Sequence, residues 1–387
     1  MTMEPIHIVA ARRSPIGRFG GAYKDLPASE LALQVAQATV PEACREHVSE
    51  IILGQVLQCG SGMNVARQVG LRLDVPQTAT AYTVNMVCGS SLKAIALGAA
   101  ALREAAQPLV LAGGVESMSA APYLLPALRW GGKFGALSAV DSIQADGLTD
   151  PVLHIGMGET AERIAEVLSI SRGEQDAFAL ESQLRVARSG EAWARELVPV
   201  NAGKKVVFQD EHPRSDTTLG SLEGLRPAFR PDGTVTAGNA SGINDGAAMV
   251  LLAREEALAR FGLRSRARIC AWSAVGCDPA LMGLGPVGAI RSVLQKTRWP
   301  LESVDAFEIN EAFAVQVLGC ILQLGLSPDR VNLRGGAIAL GHPIGASGAR
   351  VLVTLLHILE DLGLRRGIAS LCIGGGMGIA LAIEREP

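Results

Sequence analysis

Apolar residues along the chain fall into short runs separated by stretches with helical spacing. Residues 6–10 (IHIVA) form a compact apolar run of strand length, residues 51–56 (IILGQV) form another, and residues 79–87 alternate apolar with polar side chains as a strand does. Residues 28–38 and 92–105 instead carry the Ala and Leu content of packed helices, and a further apolar run at 109–111 follows the second of them. Strands alternating with helices predict a mainly parallel sheet with helices on its faces.

The pattern breaks between residues 118 and 236, where Pro, Gly and charged residues interrupt it and one amphipathic helix stands out at 173–188. Order returns with a strand at 247–253 (AAMVLLA), a helical REEALARFG and a second strand–helix series from residue 268 onward. The expected organisation is therefore a first half at 1–117 and 244–266, a loop-rich insertion at 118–243 and a second half at 267–387. An internal echo joins the halves. LVLAGG at 109–114 and SLCIGGG at 370–376 are both apolar strands running into glycines, and each follows a helix that opens in small residues, CGSS at 88–91 and GASGA at 345–349.

Composition narrows the function classes. A chain of 387 residues exceeds one ordinary core, and 48% hydrophobic residues can fill two. A net charge of −3 without a dense basic cluster, together with 4% aromatic residues, argues against a nucleic-acid partner. The N-terminal MTMEPIHIVAARRSPIG lacks the apolar core of a signal peptide, and no apolar run reaches the 18 or so residues that span a bilayer, so a cytoplasmic protein with no membrane partner is expected. Cysteines at 44, 59, 88, 270, 277, 320 and 372 are odd in number and without C-x-x-C spacing, which predicts reduced thiols and no metal site.

Free cysteine is most often a small buried hydrophobe, so context must single one out. Cys88, in TVNMVCGSSLKAI, sits where a strand ends and a helix begins. Unpaired N–H groups and the positive dipole end at that place favour thiolate over thiol. His342, in GGAIALGHPIGASGAR, precedes a proline and so lies on a loop, with glycines at 335, 336, 341 and 345 packing the backbone tightly around it. It reads either as a turn histidine or as a base for a thiol. Cys372 precedes Gly374, Gly375 and Gly376 at a strand end, and alone would pass for a core residue. Asn310 and Glu311, in FEINEAFAVQ, end a strand and begin a helix, where Asn is an ordinary N-cap. P-loop, dinucleotide-binding and α/β-hydrolase glycine motifs are absent.

Taken in chain order, VNMVCGSSLKAI, AGGVESMSAAPY, GNASGINDGAA, EINEAFA, GGAIALGHPIGASGAR and SLCIGGGMGIA resemble the successive signature motifs of the thiolase family over nearly the whole chain. The resemblance implies an α/β fold of five layers, αβαβα, built from two duplicated halves, with the insertion forming a cap that holds coenzyme A. It implies coenzyme A as substrate and product, no tightly bound cofactor, and a homodimer or homotetramer. Carried over by position, Cys88 matches the acylated nucleophile, His342 its base, Cys372 the acid/base toward the second substrate, and Asn310 the residue that positions a water in one oxyanion site. Gly374 matches a backbone donor to the other oxyanion site, while Ser241 and Arg214 match contacts to the pantetheine and a phosphate of coenzyme A. Stretches such as CIGGGMG and GRFGGAYKDLPASELA look like the short-chain type, which makes acetoacetyl-CoA from two acetyl-CoA; the alternatives are a broad-range 3-ketoacyl-CoA enzyme of fatty-acid breakdown and a non-catalytic acyl-CoA-binding relative. One departure concerns the acyl pocket. Short-chain members carry His-Met-Gly before a T-A-E segment, whereas here Met157 follows Gly156 and the nearest histidine is His154, within a segment (148–157) expected to wall the pocket.

Overall fold

The computed structural model describes residues 5–104 and 108–386. Strand Leu109–Ser117 is buried at every position and Asn244–Arg254 at all but its last, as strands covered on both faces must be. Helix Ser347–Asp361 is buried at every position from Ser347 to Leu359, so it too lies between layers.

Three apolar clusters define the layers. The central one joins helices Ser90–Glu104 and Ser347–Asp361 to strands of both halves, through Val110, Ala112, Val250 and Leu252 on one side and Leu371, Ile373, Leu381 and Ile383 on the other. An outer cluster packs helix Ala28–Thr39 on the opposite face of the first half, where Leu111, Met249 and Leu251 point the other way along the same strands. A third packs helix Gly285–Thr297 on the far face of the second half. The layer order is αβαβα.

In the first half the strands run Thr80–Val84, Val48–Gly54, Leu109–Ser117, Asn244–Arg254, Ile6–Arg13. In the second they run Ala306–Ile309, Arg366–Ile373, Met377–Glu384, Ala267–Gly276, with a parallel bridge from Phe307 to Val331 where the first half has Thr80–Val84. Spatial order repeats between the halves, which gives the sequence echo its structural basis. Pairs Ile6↔Ile269, His7↔Arg268 and Ile8↔Ala267 join the halves into one ten-stranded sheet among the described residues.

That sheet is mixed, which corrects the expectation of a mainly parallel one. Val48–Gly54 pairs in parallel with both its neighbours, and Ala306–Ile309 with Arg366–Ile373, but the remaining long ladders are antiparallel. The last two strands of each half are not joined by a crossover helix. In the second half a turn at residues 374–376 closes a hairpin, with Gly375 and Gly376 at φ +85° and +82°. In the first half the whole insertion occupies that place. Glycines do not end the strand at residue 111 either, as the sequence suggested. Gly113 and Gly114 stay inside it, because a Cβ on Gly113 would lie 2.2 Å from the Ala248 carbonyl oxygen and one on Gly114 2.4 Å from that of Gly345.

The helix expected at 92–105 is Ser90–Glu104, residue 105 lying outside the described residues. Within the insertion stand two substantial helices rather than one. Arg172–Ser189 starts in a capping box between Ser171 and Glu174. Met157–Leu168, which the sequence reading missed, has glycines at 156 and 158 flanking its start and obscuring its period.

Candidate active site

A cavity of about 550 Å³ opens between the halves and the insertion, and Cys88, His342, Cys372, Met157, Ser241 and Arg214 all line it. Asn310 stands against His342, and Gly374 presents its N–H to the Cys88 sulfur. The side chains singled out in the sequence therefore converge on one place.

Cys88 is held by a strained turn between strand Thr80–Val84 and helix Ser90–Glu104. Val87 has φ +45°, a left-handed conformation that a β-branched residue adopts only under constraint. Ser90 supplies the constraint: its hydroxyl donates to the Val87 carbonyl at 2.6 Å and accepts from the Met86 N–H at 2.8 Å. The N–H groups of Gly374 and of Cys88 itself point at the sulfur. They do not make it a resting thiolate, and here the helix-terminus expectation is corrected. Burial pushes the Cys88 thiol up to about 11, with Glu116 adding to the rise, and this outweighs both donors. Cys88 is a thiol at rest and needs a base.

His342 can be that base. Burial and the nearby Arg350 hold its pKa down to about 3, so the ring is neutral. Ser347 donates its hydroxyl proton to the Pro343 carbonyl at 2.8 Å, so its oxygen accepts from His342 Nδ1 at 2.6 Å. The proton thus sits on Nδ1, and Nε2 carries the lone pair. The His342 N–H donates to Asn244 Oδ1 at 3.0 Å, which fixes the loop from the first-half side.

Asn310 is not a helix N-cap, since the following helix begins only at Ala314. Instead its N–H donates to the Ser370 carbonyl, and its side-chain Nδ2 lies 3.4 Å from His342 Nε2. Asn310 Oδ1 is buried without a hydrogen-bond partner among the described residues, an atom that polar substrate or water can satisfy. Cys372, on strand Arg366–Ile373, is fully buried and its thiol lies well above the usual range, through burial first and then the neighbouring Cys88. It holds its proton at rest.

The insertion supplies the outer wall. Leu148, Gly156, Met157 and Phe229 face the cavity, and Phe229 meets Phe313 edge-on with centroids 6.0 Å apart. Arg214, exposed at the rim, has no carboxylate partner among the described residues, and an adjoining groove of about 240 Å³ shares Arg214, His212 and Ala237 with the cavity. His154 is exposed and outside the cavity, so Gly156 and Met157 form the wall near which a histidine was sought.

The two halves have counterparts in a known family. Residues 6–256 match the family model described as thiolase, N-terminal domain, and residues 263–385 match that of thiolase, C-terminal domain. The chain belongs to the thiolase family. Among thiolases, the acetyl-CoA acetyltransferase of Chromobacterium violaceum is 50% identical over 389 residues, 98% of this chain and 99% of that protein. The crystal structure of the Bacillus anthracis acetyl-CoA acetyltransferase superposes with a TM-score of 0.96 at 44% identity, covering 99% of each chain. Human mitochondrial 3-ketoacyl-CoA thiolase in complex with CoA gives 0.96 at 41% identity, covering 100% of this chain and 99% of that one.

Some groups at this thiolase site escaped the sequence reading. Ser347 was seen only as one of the small residues in GASGA, although it stands five residues after His342, at the start of the next helix, and sets its tautomer. The N–H of Cys88 follows from its place before a helix, but its aim at the sulfur needed coordinates. Asn244 and Glu116 bond backbone groups distant in sequence, and nothing local marks them.

Proposed function

We propose that this thiolase joins two acetyl-CoA into acetoacetyl-CoA and free CoA, and runs the reverse thiolysis, through an acetyl thioester on Cys88. The observation that carries this reading is one cavity holding a half-buried thiol, a neutral imidazole with its Nε2 free of protons, and a second, buried thiol. In acylation His342 Nε2 takes the Cys88 proton, the sulfur attacks the acetyl carbonyl, and the departing CoA sulfur takes the proton of Cys372. Cys372 is then a thiolate beside an imidazolium, a pair in which each charge offsets the cost of burying the other. The Cys372 thiolate removes the α-proton of the second acetyl-CoA, the carbanion attacks the acetyl carbon on Cys88, and the Cys88 sulfur leaves with the proton of His342. Every group returns to its resting form.

The N–H groups of Gly374 and Cys88 suit the oxyanion that forms beside the Cys88 sulfur, and Asn310, through a water, suits the enolate oxygen of the second substrate. Arg214 is assigned to a coenzyme A phosphate, for which a guanidinium is well matched, and Ser241 and Met157 to the pantetheine arm and acyl end. Residues 118–243 act as the cap over this ligand, with 1–117 plus 244–266 and 267–387 as the two halves that carry the chemistry. Seven free thiols suit a reducing, cytoplasmic setting. Exposed Tyr123, Leu125, Trp130 and Phe134 support a homodimer or homotetramer.

One observation favours the broad-range 3-ketoacyl-CoA reading. Gly156 leaves open space at the wall, since a Cβ there would meet only the Leu148 carbonyl at 3.9 Å. Initial rates of thiolysis with four-, six- and ten-carbon 3-ketoacyl-CoA decide between the readings. A fall in kcat/KM with length supports the acetoacetyl-CoA enzyme, and an equal or rising value assigns the broad-range one.

A further inference from the structure

Glu116 lies on strand Leu109–Ser117, fully buried, and no step of the mechanism uses it. Its Oε2 accepts from the Val56 N–H at 2.9 Å and the Gly345 N–H at 2.8 Å, and its Oε1 accepts from the Leu57 N–H at 3.1 Å. Val56 and Leu57 belong to the first half, in the loop that packs with Cys88 and Ile344. Gly345 belongs to the second half, three residues from His342. One carboxylate thus spans the seam between the loop beside the nucleophile and the loop of its base. Contact is close enough that a Cβ on Gly345 would fall 2.5 Å from Glu116 Oε2 and 2.9 Å from Gln55 Cα.

We propose that Glu116 is a positioning residue that sets the separation of Cys88 and His342 by clamping the His342 loop to the Val56–Leu57 loop. This rests on the acyl-transfer reading and deepens it. Three N–H donors aimed at two oxygens demand an anionic acceptor, because a neutral carboxyl or amide turns a donor toward at least one of them. Burial nevertheless raises the Glu116 pKa to about 7, helped by Asp245 on the adjacent strand Asn244–Arg254 and opposed by the three N–H groups. Among the ionisable groups around it, Cys88 titrates near 11 and His342 near 3, both away from neutrality, and Asp245 is raised by burial while held by Ser119. Protonation as pH falls through about 7 therefore loosens the clamp, and the rate falls with it.

The test is steady-state kinetics on the full-length enzyme carrying Glu116→Gln, Gly345→Ala or both, with thermal melting as a check on folding. Glu116→Gln removes the anion at constant size, while Gly345→Ala disturbs the same contact without changing charge. Each single variant should lower kcat by about 10²-fold, the scale of an ångström-level misplacement, and leave KM for acetoacetyl-CoA and CoA within about threefold. The double variant should be no worse than the poorer single one, since both break one contact. The acid limb of the wild-type kcat profile near pH 7 should be absent in Glu116→Gln. The assignment is overturned by a folded Glu116→Gln enzyme with kcat within threefold of an active wild type, by multiplicative defects in the double variant, or by kcat and KM worsening together. Should Glu116→Gln not fold, the Gly345→Ala kcat and the wild-type acid limb decide. A wild-type protein without acyl transfer would instead reject the thiolase chemistry itself.

Discussion

The two halves place a helix start against the same cavity and use it differently. In the first half Cys88 stands just before helix Ser90–Glu104, on a turn strained at Val87; in the second, His342 stands a turn before helix Ser347–Asp361, on an unstrained loop that Ser347 and Asn244 hold. The helices touch closely, for a Cβ on Gly348 would lie 2.5 Å from the Leu92 nitrogen. Burial acts on both groups and silences both, raising the thiol to about 11 and lowering the imidazole to about 3. Neither half is thus reactive by itself at neutral pH. In the proposed mechanism reactivity arises when the proton passes across the seam, and the insertion is assigned binding rather than chemistry.

Removing the first-half nucleophile should have the largest effect. Cys88→Ala should lower turnover by at least about 10⁴-fold, the scale seen when a covalent nucleophile is deleted, in a coupled assay of acetoacetyl-CoA thiolysis. Removing the second-half base comes next. His342→Ala should cost about 10²–10⁴-fold, and it should also change when Cys88 reacts with iodoacetamide. With both residues lining one cavity, the wild-type thiol, raised by burial to about 11, should be alkylated at lower pH than the variant's, because only wild type offers a base to receive the proton. Equal pH profiles would mean the halves do not exchange a proton. Ser347→Ala should be milder, lowering kcat about tenfold by releasing the Nδ1 tautomer, the worth of one hydrogen bond. Smallest is Arg214→Ala in the insertion: KM for CoA should rise a few-fold, roughly the loss of one exposed charge contact, with kcat unchanged. A fall in kcat instead would place the insertion in the chemistry.

The candidate site was legible in the sequence because the groups that share the cavity sit at junctions with strong local signals. Cys88 before a run of small residues, His342 before a proline and Cys372 before three glycines are all marked by what surrounds them. The strand–helix alternation gave most elements, and the echo between 109–114 and 370–376 anticipated the repeated strand order. Sheet polarity was not legible. Parallel and antiparallel neighbours have the same apolar runs when both faces are covered, and the hairpin at residues 374–376 reads like any glycine turn. Protonation states were not legible either. A helix start before Cys88 suggested a thiolate, but desolvation depends on strands and loops from both halves closing over it. Glu116 and Asn244 act on backbone groups 59 to 229 residues away, a reach that no local motif records.

The most direct test of the division of labour is a single-turnover experiment with the Cys372→Ser enzyme and acetyl-CoA alone, read by peptide mass spectrometry and thiol release. Serine is too weak an acid to carry the second proton, while the CoA sulfur is a good enough leaving group to depart without it. The account predicts acetyl stably held on Cys88, stoichiometric release of CoA and no acetoacetyl-CoA. An unmodified Cys88, an acetyl group on another residue, or acetoacetyl-CoA formed at the wild-type rate would contradict it.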